Sequence, residues 1–569
     1  MSGRKENKQQ NIQVDELIGL SDQQQAECIA AHYSQISNQY EPIKDTDFRD
    51  FNPMSHGGCR PPHVEPLKVH QIIQKMNKSA ATVPNDIPIK LIAEFSVEIA
   101  FPLAHIINFC LQNGVYPNIW KMESVTPVPK FFPTEKLKDL RKISGLLNFS
   151  KVTDKIVGEF LIEDMAPTRD LAQFGNEKKV SAQHYLIQML HKIYTAVDKN
   201  SKMEAVSVIL TMVDWSQAFD RQCHKLGLES FIRNGVRSSL IPILKSFFQN
   251  RQMRVKWNKE MSSFYKLNGG GPQGGLMGIL EYLSQTNNNT DFLSDDLKFK
   301  FIDDLSFLEI LNLISLGLCS YNFKHQVASD ISTQFLPPEN LETQTNLEQI
   351  STWTHKNLMQ LNTDKSKYMI FNFTNSYQFN TRLSLENNLL EQVSEESLLG
   401  LVINDTLTWD SNTDFIVKKA YKRMSILHNL FKFGLPADEL IQIYILYIRS
   451  LVENSAVVWH SSLKISDIKA IERIQKVALK IILKEDYLNY VHALKITGLP
   501  SLHQRREMLC KKFAVNCIKN VKTCHMFPLN QQRNIVNTRN SEKFFVQPAR
   551  TNRLQNSAIP YMQRLLNSM

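Results

Sequence analysis

Phe299-Lys300-Phe301-Ile302-Asp303-Asp304-Leu305-Ser306-Phe307 reads as strand, tight turn, strand. Its adjacent carboxylates repel each other and cost stability unless a cation holds them. An Asp-Asp pair is also ordinary turn chemistry, so the stretch takes its meaning from what surrounds it. The apolar run Ala205 to Val213 reads as a buried strand, and Asp214 ends it. One carboxylate at a strand end, with a pair on a neighbouring hairpin, can hold two Mg²⁺ ions ~3.5–4 Å apart.

Outward from these aspartates the chain alternates helices and strands. Residues 23–37 read as a short amphipathic helix, and Gly57-Gly58-Cys59-Arg60-Pro61-Pro62 as a break. Val69, Ile72, Ile73 and Met76 recur at helical spacing. A long helix is expected from Ile89 to Leu111, then a strand over 124–128. Helices are expected over 142–165 and 183–197, and two more over 226–249. Residues 252–257 read as a short basic strand. Gly269-Gly270-Gly271-Pro272-Gln273-Gly274-Gly275 reads as a sharp loop opening a helix, and 287–296 as a polar surface loop. Beyond about residue 415 the pattern is helical. There Ile468, Ile471, Gln475, Ala478 and Ile481/Ile482 trace one face, and Lys469, Arg473, Lys476 and Lys480 another. The alternation indicates an α/β or α+β core.

A hydrophobic content of 43% excludes a disordered chain. The net charge of +10 over 569 residues suits a polyanionic partner but equally a basic solvated surface. Eight cysteines form no CxxC pair, which argues against a zinc ribbon or a disulfide framework. Cys510, Cys517 and Cys524 are seven residues apart, the spacing of one helix stripe. The polar start, Met1 to Lys8, has no signal-peptide core, and the apolar stretch 305–318 is too short to span a bilayer. The expectation is a soluble intracellular protein, cytoplasmic or nuclear, with no membrane partner.

Eight segments fall into one order. They are Thr126-Pro127-Val128-Pro129-Lys130, Asp139-Leu140-Arg141-Lys142-Ile143-Ser144, Gln173-Phe174-Gly175 and Val213-Asp214-Trp215-Ser216-Gln217-Ala218-Phe219-Asp220. Then come Gly271-Pro272-Gln273-Gly274, Phe301-Ile302-Asp303-Asp304, Leu361-Asn362-Thr363-Asp364-Lys365-Ser366-Lys367 and Leu399-Gly400-Leu401. This order resembles the reverse transcriptase of non-LTR (LINE-type, jockey-like) retrotransposons over roughly residues 66–510. The likeness continues more weakly through Pro548-Ala549-Arg550-Thr551 to Asn567.

The resemblance implies a right-hand polymerase with an antiparallel palm sheet and a helical thumb. Its parts would be an N-terminal extension (1–65), fingers (66–205), palm (206–400), thumb (415–510) and a basic tail (511–569). It implies RNA-directed DNA synthesis, with an RNA template, a DNA primer or target, and dNTPs. Two Mg²⁺ ions, replaceable by Mn²⁺, would be held by Asp214, Asp303 and Asp304. Backbone N–H groups at Gln217 and Ala218 would meet the triphosphate, and Phe219 would crowd a ribose 2′-hydroxyl. Lys130 and Arg141 would clamp the triphosphate, and Gln273 would buttress the nucleotide. Lys365, with Lys367 as the alternative, would protonate pyrophosphate. Leu399-Gly400-Leu401 resembles the primer grip.

The chain departs from the family pattern at Ile302 (usually Ala), Gly275 (usually Ser or Thr) and Lys142 (commonly Pro). No departure removes a metal ligand. The segment 1–65 is too short for the endonuclease such elements often carry, and no ribonuclease H segment follows. The expectation is the polymerase part of a longer element product, or a gene model cut from one, with any nicking left to another protein such as a separate endonuclease. Two other readings compete. One is a catalytically decayed or host-adopted RNA-binding relic. The other is an RNA-directed RNA polymerase, suggested by Asp214 and Asp220 and opposed by Ile302 where Gly is expected.

Overall fold

The computed structural model describes residues 14–48, 60–200, 204–316, 333–374, 378–532 and 541–568. The polar start Met1–Lys8, the Gly57–Cys59 part of the break, Cys319 and the end of the 305–318 stretch lie outside the described residues. Among the described residues eight strands run up to and through the hairpin of the two aspartates. They are β1 (Met122–Pro129), β2 (Leu140–Gly145), β3 (Val206–Val213), β4 (Arg251–Trp257), β5 (Glu260–Met261), β6 (Tyr265–Leu267), β7 (Lys298–Phe301) and β8 (Asp304–Asn312). The class is mixed α/β, as the alternation predicts. Among the described residues no helix is long and apolar enough to cross a membrane.

The chain forms two compact units. The first comprises Met1–Leu171, Trp215–Asp291 and Gln349–Asn362; the second comprises Ala172–Asp214, Phe292–Glu348 and Thr363–Met569.

In the first unit β1 pairs antiparallel with β2 and parallel with β4, and β4 continues to β5 and β6. Alternate residues of β4 are buried, the signature of a strand with one covered face. The helix Asp22–Ser37 supplies that cover: Ala26, Ile29 and Tyr33 pack with Val125, Met253, Val255 and Trp257. Its N-cap Ser21 forms a reciprocal capping box with Gln24. A separate helical core gathers Ile73, Leu103, Ile107, Val152, Phe231, Phe248 and Leu280.

The second unit is built on a sheet in which β3 is central. β8 and Lys367–Asn372 flank it, both antiparallel, and β7 lies beyond β8. All eight β3 residues are buried, Ser207 and Thr211 among them, which explains why its sequence is mainly apolar rather than an alternation. The helix Ala182–Val197 lays Leu186, Leu190 and Ile193 into the same core as Val208, Leu210, Phe299 and Met369. That core continues through the helices Asp410–Lys432, Ile465–Leu483 and Leu502–Ile518. In Ile465–Leu483 the expected division holds for most positions: Ile471, Gln475, Ala478 and Ile482 are buried, Ile468 and Ile481 are half-buried, and Lys469, Arg473, Lys476 and Lys480 are exposed.

Several local expectations need correction. Residues 142–145 are strand, not helix, because β2 pairs with β1; the helix begins at Asn148. The long helix breaks at Phe95, giving Ile89–Glu94 and Ser96–Asn113. The 287–296 loop buries Asn289 and Thr290. Cys510 and Cys517 are buried on one helix, but Cys524 lies beyond its end and is exposed.

Candidate active site

In the second unit β7 and β8 join through a two-residue loop, Ile302-Asp303, closed by the Phe301–Asp304 pair. Such short hairpins need a positive φ at the first loop residue to match strand twist, and Ile302 adopts φ 59°. Next door, Val213 pairs with Leu305, so Asp214 leaves β3 beside the start of β8. The Asp214 N–H donates to the buried Ser366 hydroxyl at 3.1 Å. Burial first, then the charges of Asp303 and Asp214, push the Asp304 carboxyl up to about 7.

Asp214 and Asp304 line an open cleft of about 270 Å³ with Asp364, Lys365, Lys367 and Glu396. Lys365 is exposed. Lys367 is committed elsewhere, to Glu396 at 2.8 Å and Glu391 at 3.4 Å. Of the two lysines, Lys365 is the exposed one and Lys367 the ion-paired one.

Among the described residues no three His, Cys, Asp or Glu side chains are grouped as a ready metal cage. Mg²⁺ seldom uses such a cage; it takes one or two carboxylates and completes its shell with water and substrate phosphates. A cleft lined by Asp214, Asp304 and Asp364, with Asp304 raised to about 7 by burial and then by the charges of Asp303 and Asp214, offers hard oxygen donors whose repulsion a divalent cation would relieve. The donor chemistry fits the ion implied by the sequence.

In the first unit a second group of expected residues converges. The Gly271 N–H donates to the Phe219 carbonyl at 2.9 Å, and the Gln273 amide donates to Asp220 Oδ1 at 3.1 Å. The Ser144 N–H donates to the Gln273 carbonyl, joining the loop to β2. Gly274 is required here, since a Cβ would stand 2.3 Å from the Ser144 carbonyl oxygen. The half-buried Phe219 ring packs on Tyr282, centroids 5.1 Å apart. Gln217 adopts φ 52°, Ala218 is buried, and the segment turns tightly through Asp220. Burial raises the Asp220 carboxyl, opposed by Lys142, Lys130 and the Gln273 amide. This engagement with Gln273 ties Asp220 to the loop.

Lys130 is exposed at the end of β1, its ammonium donating to the Lys138 carbonyl at 2.6 Å. Arg141 is exposed on β2 opposite Val128. Strand alternation turns Lys142 inward, 3.7 Å from Glu123. In the second unit Leu399-Gly400 is the two-residue turn between Glu395–Leu398 and Leu401–Asn404.

Three residues escaped the sequence reading of roles. Ser366 receives the Asp214 N–H. Gln173 meets the Ile302 turn. Asp154 accepts from the N–H groups of Leu276 and Met277, and so caps the helix that follows the glycine loop. Each acts on a segment far away in sequence. Gln173 and Ser366 left a trace, each inside an ordered segment but with no assigned task, and Asp154 left none.

No family model matches the chain. A probable RNA-directed DNA polymerase from transposon BS of Drosophila melanogaster is 24% identical over 381 residues, 64% of this chain and 38% of that protein. The probable polymerase from transposon X-element, also of Drosophila melanogaster, is 24% identical over 45% of this chain and 28% of its own length. The RNA-directed DNA polymerase from mobile element jockey of the same fly is 28% identical over 32% of this chain and 19% of its own. The alignments thus span well under half of each relative. Curated relatives of this chain are RNA-directed DNA polymerases of transposons and mobile elements, jockey among them, and the jockey-like resemblance carried by its motif order holds.

Proposed function

We propose that the chain is an RNA-directed DNA polymerase that extends a DNA primer along an RNA template with dNTPs. The observation that carries this reading is the carboxylate arrangement: Asp214 ends the central strand β3 next to the Asp303-Asp304 hairpin, in a sequence similar to transposon polymerases. Two Mg²⁺ ions, or Mn²⁺, held by Asp214 and Asp303 with Asp304 in support, would activate the primer 3′-hydroxyl and neutralise the leaving pyrophosphate. Lys365 would give a proton to the pyrophosphate oxygen. Lys130 and Arg141 would hold the triphosphate, with the Gln217 and Ala218 N–H groups beside it. Phe219 would exclude a 2′-hydroxyl by steric contact, and Gln273 would support the nucleotide through its bond to Asp220.

In this reading 66–205 supply fingers, 206–400 a palm, 415–510 a thumb and 511–569 a basic tail. Primer extension on poly(rA)/oligo(dT) with Mg²⁺ and dTTP, comparing wild type with Asp303→Asn, tests it. Incorporation that disappears in the variant is expected. A well-folded wild type that binds primer-template without extending it would instead favour an RNA-binding relic.

A further inference from the structure

Ile302 is an unusual residue for the first position of its turn. A β-branched side chain disfavours positive φ, yet Ile302 sits at φ 59°. Something must hold it there, and the geometry points to Gln173. We propose that Gln173 is a positioning residue that locks the Ile302-Asp303 turn, so that the hairpin carboxylates are presented to divalent cations. This rests on the polymerase reading above.

Gln173 is 4% exposed. Its Oε1 accepts from the Ile302 N–H at 2.9 Å and from the Gly175 N–H at 2.8 Å. Its Nε2 donates to the Ile302 carbonyl at 3.4 Å. One side chain therefore grips both polar groups of the strained residue. The backbone around it is anchored to the same hairpin: the Phe174 N–H donates to the Lys300 carbonyl, and the Lys300 N–H to the Ala172 carbonyl. Gly175 makes room for the Ile302 side chain, because a Cβ there would lie 2.4 Å from Ile302 Cγ1. From the other side Lys522 donates to the Gln173 carbonyl, and its ammonium lies 5.2 Å from the centre of the Phe174 ring. The Gln173-Phe174-Gly175 segment is thus a brace between the hairpin and the C-terminal part of the chain.

The test compares Gln173→Met, Ile302→Gly and the double variant. Glycine accepts positive φ freely, so the turn in Ile302→Gly should no longer need the brace. Mn²⁺ binding is read by electron paramagnetic resonance without nucleotide, alongside single-turnover dNTP incorporation and primer-template affinity. Gln173→Met should weaken Mn²⁺ binding about tenfold and slow incorporation comparably, with primer-template affinity unchanged. In the double variant most of that loss should vanish. A packing role alone would not be rescued by glycine at 302. Unchanged Mn²⁺ affinity in folded Gln173→Met, or an equal loss in the double variant, overturns the proposal. If Gln173→Met fails to fold, the double variant should still fold and bind Mn²⁺; its failure also overturns the proposal. A wild type that does not polymerise, but shows the Mn²⁺ loss and rescue, would remove the polymerase reading and leave the brace standing. Normal polymerisation with no Mn²⁺ effect would do the reverse.

Discussion

Asp214 leaves the central strand alongside Asp304: Val213–Leu305 is the last pair between β3 and β8, and both aspartates line one cleft. Their charges work against each other, and Asp303 in the turn adds to the repulsion. The consequences can be measured with and without metal.

Asp214→Asn and Asp303→Asn should each lower single-turnover dNTP incorporation by on the order of 10³-fold, leaving primer-template affinity within about twofold. Asp304→Asn should be milder. The carboxylates act as a unit, so a triple variant should be scarcely slower than Asp303→Asn. Wild-type incorporation by Asp303→Asn would refute the metal assignment.

In the metal-free protein Asp304 binds its proton up to about pH 7, well above the unfolded value. The folded state then holds more protons than the unfolded state between about pH 4 and 7, so stability falls as pH rises through that window. The slope from this group is at most about 1.4 kcal/mol per pH unit. Urea unfolding in EDTA at pH 5 and pH 8 measures it, and Asp304→Asn should flatten the profile.

Phe219→Val should relax discrimination against rNTPs by about 10–100-fold while dNTP use stays largely intact. The side chain is half-buried on Tyr282 and is not itself one of the proposed metal ligands. Competitive single-nucleotide incorporation of ATP against dATP reads the effect. An unchanged ratio would make Phe219 a packing residue only.

Lys365→Ala should slow the chemical step by on the order of 10²-fold with little change in stability. Lys367→Ala should do the opposite, because Lys367 is paired with Glu396 and Glu391. Its cost should be about 0.2–1 kcal/mol, the range of partly exposed ion pairs. Equal kinetic losses in the two variants would contradict the assignment.

Glu123 is buried between Arg251 at 2.6 Å and Lys142 at 3.7 Å, and takes the Ser144 hydroxyl at 2.8 Å. Burial opposes its ionisation, yet the two cations hold its carboxyl below the usual range. Glu123→Gln leaves two buried cations without their counter-charge and should cost about 3–5 kcal/mol in urea unfolding. Lys142 also faces Asp220, so the glycine-loop region should lose hydrogen-exchange protection as well.

The sequence by itself determined the elements whose cause is local. The mainly apolar run that Asp214 ends reads as a buried strand, and all eight β3 residues are buried. Phe-Lys-Phe and Leu-Ser-Phe around two aspartates have the period of a hairpin, and the hairpin is there. Glycines flanking Pro272 and Gln273 signalled a loop that admits close backbone approach. Short-range periodicity failed where an element's state depends on a partner. Residues 142–145 carry helix-compatible chemistry but are strand because β1 lies alongside. Only the tertiary structure decided what supports the carboxylates. Ser366 reaches Asp214 across 152 positions, Gln173 reaches Ile302 across 129, and Asp154 reaches Leu276 across 122. A hydrogen bond between remote segments leaves no periodic trace in either one, because its geometry is set by how the sheet and helices bring them together.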